Sequence, residues 1–197
     1  MEDKEILGAL GATEKIYGKD VLEFIKSYNR PLNCIDLGTG AGSFLSILAH
    51  CCKIFGGKVY SVDILDEGAD IIMARNKIKN FELSDSVEFL KYNSTWAQCL
   101  YFFKNIAETK KFDIVCIDTE HNYQTTQIEL EEYSKFLIND GSIILHDSGP
   151  FSNPPYGVRK AVMEFLSKNL EFIIIKDLEG SRKANEAAGL MIIKKVR

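Results

Sequence analysis

Apolar and polar positions along this chain fall into blocks that switch between a helical period and short solid apolar runs. Near the start, Ile6, Leu7 and Leu10 fit a short helix. Val21, Leu22, Ile25 and Tyr28 then recur at the helical interval until Pro31 stops them, with Gly8, Gly11 and Gly18 as interruptions. The run through Cys34, Ile35 and Leu37 predicts the end of a buried strand, which Gly38, Gly40 and Gly42 turn into a helix. That helix carries Phe44, Ile47, Leu48, Cys51, Cys52 and Phe55 on one stripe and is ended by Gly56 and Gly57.

The same reading continues to the C-terminus. It predicts strands at Val59–Leu65, Val87–Leu90, Phe112–Asp118 and Ser142–Asp147. Between them it predicts helices over 68–80, over a face of Trp96, Cys99, Leu100, Phe103 and Ile106, and over 123–138. Ser94 or Thr95 is the expected N-cap of the middle one, and Trp96 fits core packing better than a ligand contact. The stretch from Ser148 to Tyr156 holds Pro150, Pro154 and Pro155 and reads as an irregular surface loop. Val158, Ala161, Val162, Phe165 and Leu166 mark a further helix. Two closing strands, Glu171–Leu178 and Gly189–Val196, have too little chain between them for a helical crossover, so they are antiparallel neighbours or a hairpin.

Helix-separated strands followed by an antiparallel pair predict an α/β fold: a doubly wound, mostly parallel, seven-stranded sheet with helices on both faces. The 197 residues are expected to form one domain, with a helical segment over 1–30 ahead of a core over 31–197. A net charge of −4 argues against nucleic acid as the main partner. Cys34, Cys51, Cys52, Cys99 and Cys116 lie in apolar runs without a Cys-x-x-Cys pair, as core cysteines of a reducing compartment do. The N-terminus is too acidic for a signal peptide, and no apolar run is long enough to span a bilayer. A cytoplasmic protein without a membrane partner is the expectation.

Chemistry concentrates at the predicted strand ends, where open parallel sheets bind ligands. The strand, glycine turn and helix around Gly38, Gly40 and Gly42 form a cradle of the nucleotide type, with unpaired N–H groups at the helix start. Asp63 lies about twenty residues further on, where an acid takes a ribose hydroxyl pair. Asp36 falls inside the strand and needs a partner, either the turn's N–H groups or a cationic ligand group. Asn93 and Ser94, then Asp118, then His146 and Asp147 close the remaining strand ends. A dinucleotide fingerprint requires a third glycine where Ser43 stands.

The run Asp36-x-Gly38-x-Gly40-x-Gly42, the acid at Asp63 and the antiparallel ending resemble the S-adenosylmethionine-dependent methyltransferases with a Rossmann-like sheet. From Phe112 to Gly149 the chain resembles the branch holding metal-dependent O-methyltransferases of macrolide sugars and cephalosporin-hydroxylase-like proteins. Asp118, His121 and Tyr123 match its Asp-x-x-His-x-Tyr stretch, His146 and Asp147 stand at its acidic pair, and YGVRKAVMEFL is also similar. The resemblance implies cofactor contacts from Asp36, Gly38, Thr39, Gly40, Gly42, Ser43, Asp63, Ile64, Asn93, Ser94 and Asp118. It implies a divalent cation, magnesium or manganese, on Asp118, His146 and Asp147, and His121 as general base. Imidazole suits manganese, iron or zinc better than magnesium, so His146 is either a ligand or a hydrogen-bond partner of Asp147. Relatives carry glycine beside the metal aspartate, so Thr119 and Glu120 are expected to narrow the pocket.

The expected reaction is O-methylation of a small hydroxylated molecule, in which a cation and a base favour the attacking alkoxide. The loop ending at Tyr156 is expected to close over substrate, with Asn153 or Tyr156 in contact. The N-terminal helices either cover the pocket or pair with a second subunit, giving a homo-oligomer. Two alternatives are a non-catalytic S-adenosylmethionine-binding protein and a nicotinamide-dependent dehydrogenase.

Overall fold

The computed structural model describes residues 2–11, 14–152, 157–180 and 188–196. Seven strands form one sheet in the order β3-β2-β1-β4-β5-β7-β6, the mostly parallel architecture with an antiparallel ending that the apolar pattern predicts. The chain divides into two compact units, Met1–Tyr92 and Asn93–Arg197.

The first unit contains α1 (Asp3–Gly8), α2 (Glu14–Lys26), β1 (Leu32–Leu37), α3 (Ser43–Phe55), β2 (Gly57–Asp63), α4 (Ala69–Asn80) and β3 (Val87–Lys91). All six residues of β1 are buried, as a central strand requires. It pairs in parallel with β2, placing Asp36 beside Ser61, and β2 pairs in parallel with β3. Residues Ser43 to Cys52 of α3 are buried on every side. The N-terminal helices are tied down by charge: Asp3 accepts from Lys26 Nζ at 2.7 Å and meets buried His50 Nε2 at 2.9 Å. The Gly11 N–H donates to the Ser43 hydroxyl at 3.3 Å, so this segment reaches the first residue of α3. Tyr28, expected on the second helix, lies beyond its end at Lys26.

The second unit contains α5 (Ala97–Thr109), β4 (Phe112–Ile117), α6 (Tyr123–Tyr133), β5 (Leu137–His146), α7 (Gly157–Lys168), β6 (Phe172–Leu178) and β7 (Leu190–Lys195). Strands β4 and β5 are parallel, and β7 runs antiparallel to both β5 and β6. Phe103, Phe112, Tyr133 and Phe136 pack edge to face in its core, with neighbouring ring centroids 5.6–5.7 Å apart.

Three expectations are corrected here. The helix expected to run to Ile138 stops at Tyr133, because Leu137 already pairs with Phe112 in β5. The register then slips before Ile114 meets Ser142, and the excursion includes Asp140 at a φ of 66°. Neither Ser94 nor Thr95 caps α5; Trp96 stands at the N-cap without a side-chain bond, while Thr95 is bonded to Asn93. Trp96 is 59% exposed rather than packed in the core, since the buried face of α5 begins at Cys99. All five cysteines are buried and none is joined in a disulfide. Among the described residues no helix is long and apolar enough to cross a membrane.

Candidate functional site

In the first unit, the turn after β1 divides its labour among its glycines. A Cβ on Gly42 would stand 2.9 Å from both Cα and Cβ of Ala74, so this position is glycine to let α4 pack against the turn. Gly42 also starts α3 with a φ of 78°, a left-handed conformation, and as a glycine makes no side-chain cap bond itself. Gly40 is different: no described atom lies within 4 Å of where its Cβ would be. Its N–H donates to Asp63 Oδ2 at 3.1 Å, and Leu65 N–H donates to Asp63 Oδ1 at 3.0 Å. The acid at the tip of β2 therefore folds back onto the glycine turn. The next residues, Ile64 and Leu65, are more than half exposed, an apolar ledge beside an acid.

Asp36 is 1% exposed. Ser61 Oγ donates to its Oδ2 at 2.6 Å and lies 2.7 Å from Thr39 Oγ1. One partner of this carboxylate is thus a hydroxyl on the neighbouring strand. The chain Asp36–Ser61–Thr39 braces the turn from beneath, and Ser61 is a member the sequence reading missed. Its signal was its register opposite Asp36, which only the pairing of β1 with β2 reveals.

In the second unit, four of the expected residues meet. Asp118 follows β4, His146 ends β5 and Asp147 follows it, while His121 lies in the turn before α6. Asp118 Oδ1 lies 3.1 Å from His121 Nε2 and 3.0 Å from His146 Nδ1. Asp147 Oδ2 lies 3.2 Å from His121 Nδ1 and 2.9 Å from His146 Nδ1. Carboxylates and imidazoles therefore alternate around a ring whose donor atoms all lie within 4.8 Å of one another. His121 and Asp147 hold φ values of 55° and 53°, a left-handed backbone rare outside glycine and concentrated at functional sites. Asn122, not His121, caps α6, accepting from Thr125 N–H at 2.8 Å.

The electrostatics of the ring follow from this geometry. Burial by itself would lower the His146 pKa, but the charge and hydrogen bonds of Asp118 and Asp147 overrule it and lift it to about 10. His121 is likewise disfavoured by burial and still raised, through its bond to Asp118 and the charge of Asp147. Burial would raise Asp118, yet His146 and His121 hold it well below the usual carboxylate range. Without a cation, His146 therefore carries a second proton at neutral pH, and His121 is shifted in the same direction. A divalent ion would compete with protons for these donors, and two nitrogen with two oxygen donors suit manganese, iron or zinc better than magnesium. The donor set fits a divalent cation.

Asn93 Oδ1 accepts from Thr95 N–H and Thr95 Oγ1, at 2.9 and 2.7 Å. Ser94 is buried and donates to Glu129 at 2.6 Å. Thr119, one residue past Asp118, turns its hydroxyl to the same carboxyl, and Glu120 is engaged by Asn122 and Thr125. The sequence reading missed Glu129, although a charged residue spaced with Thr126, Leu130 and Tyr133 along α6 was a readable signal. Asn153, Pro154, Pro155 and Tyr156 lie outside the described residues.

A glycine turn after β1, an acid at the end of β2 and a sheet of this strand order place the chain among α/β folds that bind nucleotide-like ligands beyond their strand ends. More particularly, the chain belongs to the methyltransferase domain family, whose model matches residues 35–148. Its fold is similar to that of the O-methyltransferase from Bacillus cereus in complex with SAH, at 20% identity over 98% of this chain and 90% of that one, with a TM-score of 0.70. It is also similar to the N-methyltransferase NodS from Bradyrhizobium japonicum in complex with S-adenosyl-L-homocysteine, at 12% identity, 94% and 88% coverage and a TM-score of 0.67. A candidate rRNA-methylase from Clostridium thermocellum is similar at 21% identity, 91% and 95% coverage and a TM-score of 0.65. No curated protein matches the chain.

Proposed function

We propose that this protein is an S-adenosylmethionine-dependent methyltransferase that O-methylates a small hydroxylated molecule with the help of a divalent cation, the chain working as one methyltransferase-like domain. The observation that carries the reading is the open Gly40 turn held by Asp63. Asp63 takes the ribose hydroxyls, exchanging its hold on Gly40 N–H for them, and Ile64 lies against the adenine. The start of α3, with Gly38, Thr39, Gly40, Gly42 and Ser43 before and at it, suits the carboxylate of the methionine part. Asp36 supports the turn through Ser61, and Asn93 and Ser94 supply the adenine edge.

Asp118, His146 and Asp147 would hold the cation, which lowers the pKa of an acceptor hydroxyl and fixes its place. The hydroxyl oxygen attacks the methyl carbon, the carbon–sulfur bond breaks with its electrons passing to sulfur, and the hydroxyl proton passes to a ring nitrogen of His121. For that step His121 must first be neutral, so turnover falls at pH low enough to protonate it. Because both its ring nitrogens contact cluster carboxylates, a second reading makes His121 a fourth ligand. The two differ in test: His121→Ala leaves manganese affinity intact if it is the base and weakens it if it is a ligand.

The net charge of −4 supports a small acceptor over RNA. The resemblance of the run from Phe112 to Gly149 and of the segment YGVRKAVMEFL supports the branch of macrolide-sugar O-methyltransferases and cephalosporin-hydroxylase-like proteins, with the cytoplasm as the place of action and a homo-oligomer as an assembly to test. Calorimetry with S-adenosylhomocysteine tests the core of the reading: wild-type protein should bind it and ignore NAD. Asp63→Ala should weaken binding by about tenfold without unfolding the protein. No heat with the nucleoside, or heat with NAD, rejects the reading.

A further inference from the structure

We propose that Glu129 is a positioning residue for the methyl donor: with Tyr133 it clamps Ser94 and Thr119, fixing the segment that meets adenine, an inference that rests on the reading of Asn93 and Ser94 as adenine contacts. Helix α6 presents both residues one turn apart, and both are fully buried. Ser94 is held at two points. Its hydroxyl donates to Glu129 Oε1 at 2.6 Å, and its carbonyl accepts from the Tyr133 hydroxyl at 2.8 Å. The second carboxyl oxygen of Glu129 accepts from Thr119 Oγ1 at 3.0 Å. Cys99 Sγ, 3.3 Å from the Tyr133 oxygen, closes the network on the side of α5.

A carboxyl with no exposed surface is costly, and an apolar residue would fill the same place in the core more cheaply. What an apolar residue would not do is grip two hydroxyls from two separate loops at once. Loops at strand ends are otherwise the mobile parts of such a fold, and a satisfied buried network makes them rigid. Here the grip falls on Ser94, which leads into α5 beside the Asn93–Thr95 turn, and on Thr119, the residue after Asp118. One side chain thereby sets the position of both segments.

The test uses the full chain, with wild type, Glu129→Gln, Glu129→Leu, Ser94→Ala and Thr119→Val compared in S-adenosylhomocysteine calorimetry and amide hydrogen exchange. Glu129→Leu should weaken binding by about tenfold or more, and Glu129→Gln by no more than about twofold, because an amide can accept from one hydroxyl and donate to the other. Exchange at residues 93–96 and 119–121 should quicken in the leucine variant and not in the glutamine variant. A purely structural role lowers the melting temperature and leaves the affinity of the folded fraction alone, so a folded Glu129→Leu protein with wild-type affinity overturns the clamp. Should that variant fail to fold, wild-type affinity in both Ser94→Ala and Thr119→Val overturns it instead. Wild-type protein that binds no nucleoside rejects the methyltransferase reading; the clamp is then judged by exchange alone, and unchanged exchange in Glu129→Leu, or in both hydroxyl variants if it does not fold, overturns it.

Discussion

At the scale of single residues, two buried groups give the protein opposite kinds of interior acid–base chemistry. His146 is charged inside the fold because two carboxylates surround it, and its pKa of about 10 stands above the 6.5 of an unfolded histidine. A raised pKa means that the folded state holds the proton more tightly. The resulting stabilisation is complete below about pH 6.5 and is lost as pH rises through about 10. Metal-stripped protein should therefore melt at progressively lower temperature over that window, and His146→Asn should flatten the profile. A flat wild-type profile would refute the ring of charges.

Glu129 is the other case. Burial lifts it from 4.5 to about 7 against the hydrogen bonds of Ser94 and Thr119, with Glu120 pushing it up and His121 pulling it down. The folded carboxyl keeps its proton where the unfolded one has lost it. Its stabilising contribution is full below about pH 4.5 and gone above about pH 7, a change of roughly 3 kcal/mol. Urea denaturation across that window should show the decline in wild type and not in Glu129→Gln. Asp63, Asp118, His146 and Asp147 were legible in the sequence as polar residues at strand ends, and His121 through the resemblance of its Asp-x-x-His-x-Tyr stretch. Glu129 and Ser61 were not, since what marks them is the burial and pairing that packing confers.

At the scale of elements, the glycine turn shows how a motif can be read correctly as a motif and still conceal its parts. The sequence treats Gly40 and Gly42 alike, whereas the fold leaves open space beside one and packs the other against Ala74 of α4. Gly42→Ala adds left-handed strain to overpacking against backbone and should cost about 3 kcal/mol in urea denaturation. Gly40→Ala should cost only about 1 kcal/mol, yet lower S-adenosylhomocysteine affinity by about tenfold or more, because the new methyl fills the open space. Equal losses of stability in the two variants would contradict this division. The boundary between α6 and β5 was illegible for a related reason. Local propensity favours helix through Leu137, but pairing with Phe112 on a strand distant in sequence wins.

At the scale of the whole molecule, the proposed nucleoside turn falls in one compact unit and the proposed cation cluster in the other. Hydrogen exchange should separate them. S-adenosylhomocysteine should slow exchange around residues 38–43 and 63–65, and manganese around 117–121 and 146–148, with chelator reversing only the second. Manganese protection that survives in Asp147→Ala would remove the cation from the cluster.

The order of strands and helices, the glycine turn and the polar strand ends were determined by the sequence alone, because they depend on local periodicity and on residues whose backbone freedom or charge is intrinsic. Only the tertiary structure decided that Asp36 rests on Ser61, that Trp96 faces solvent, that Gly42 serves packing, and that Glu129 grips two loops. Each of those outcomes is a contact between positions far apart in the chain, and a contact of that kind is settled by burial and register rather than by the neighbours of either residue.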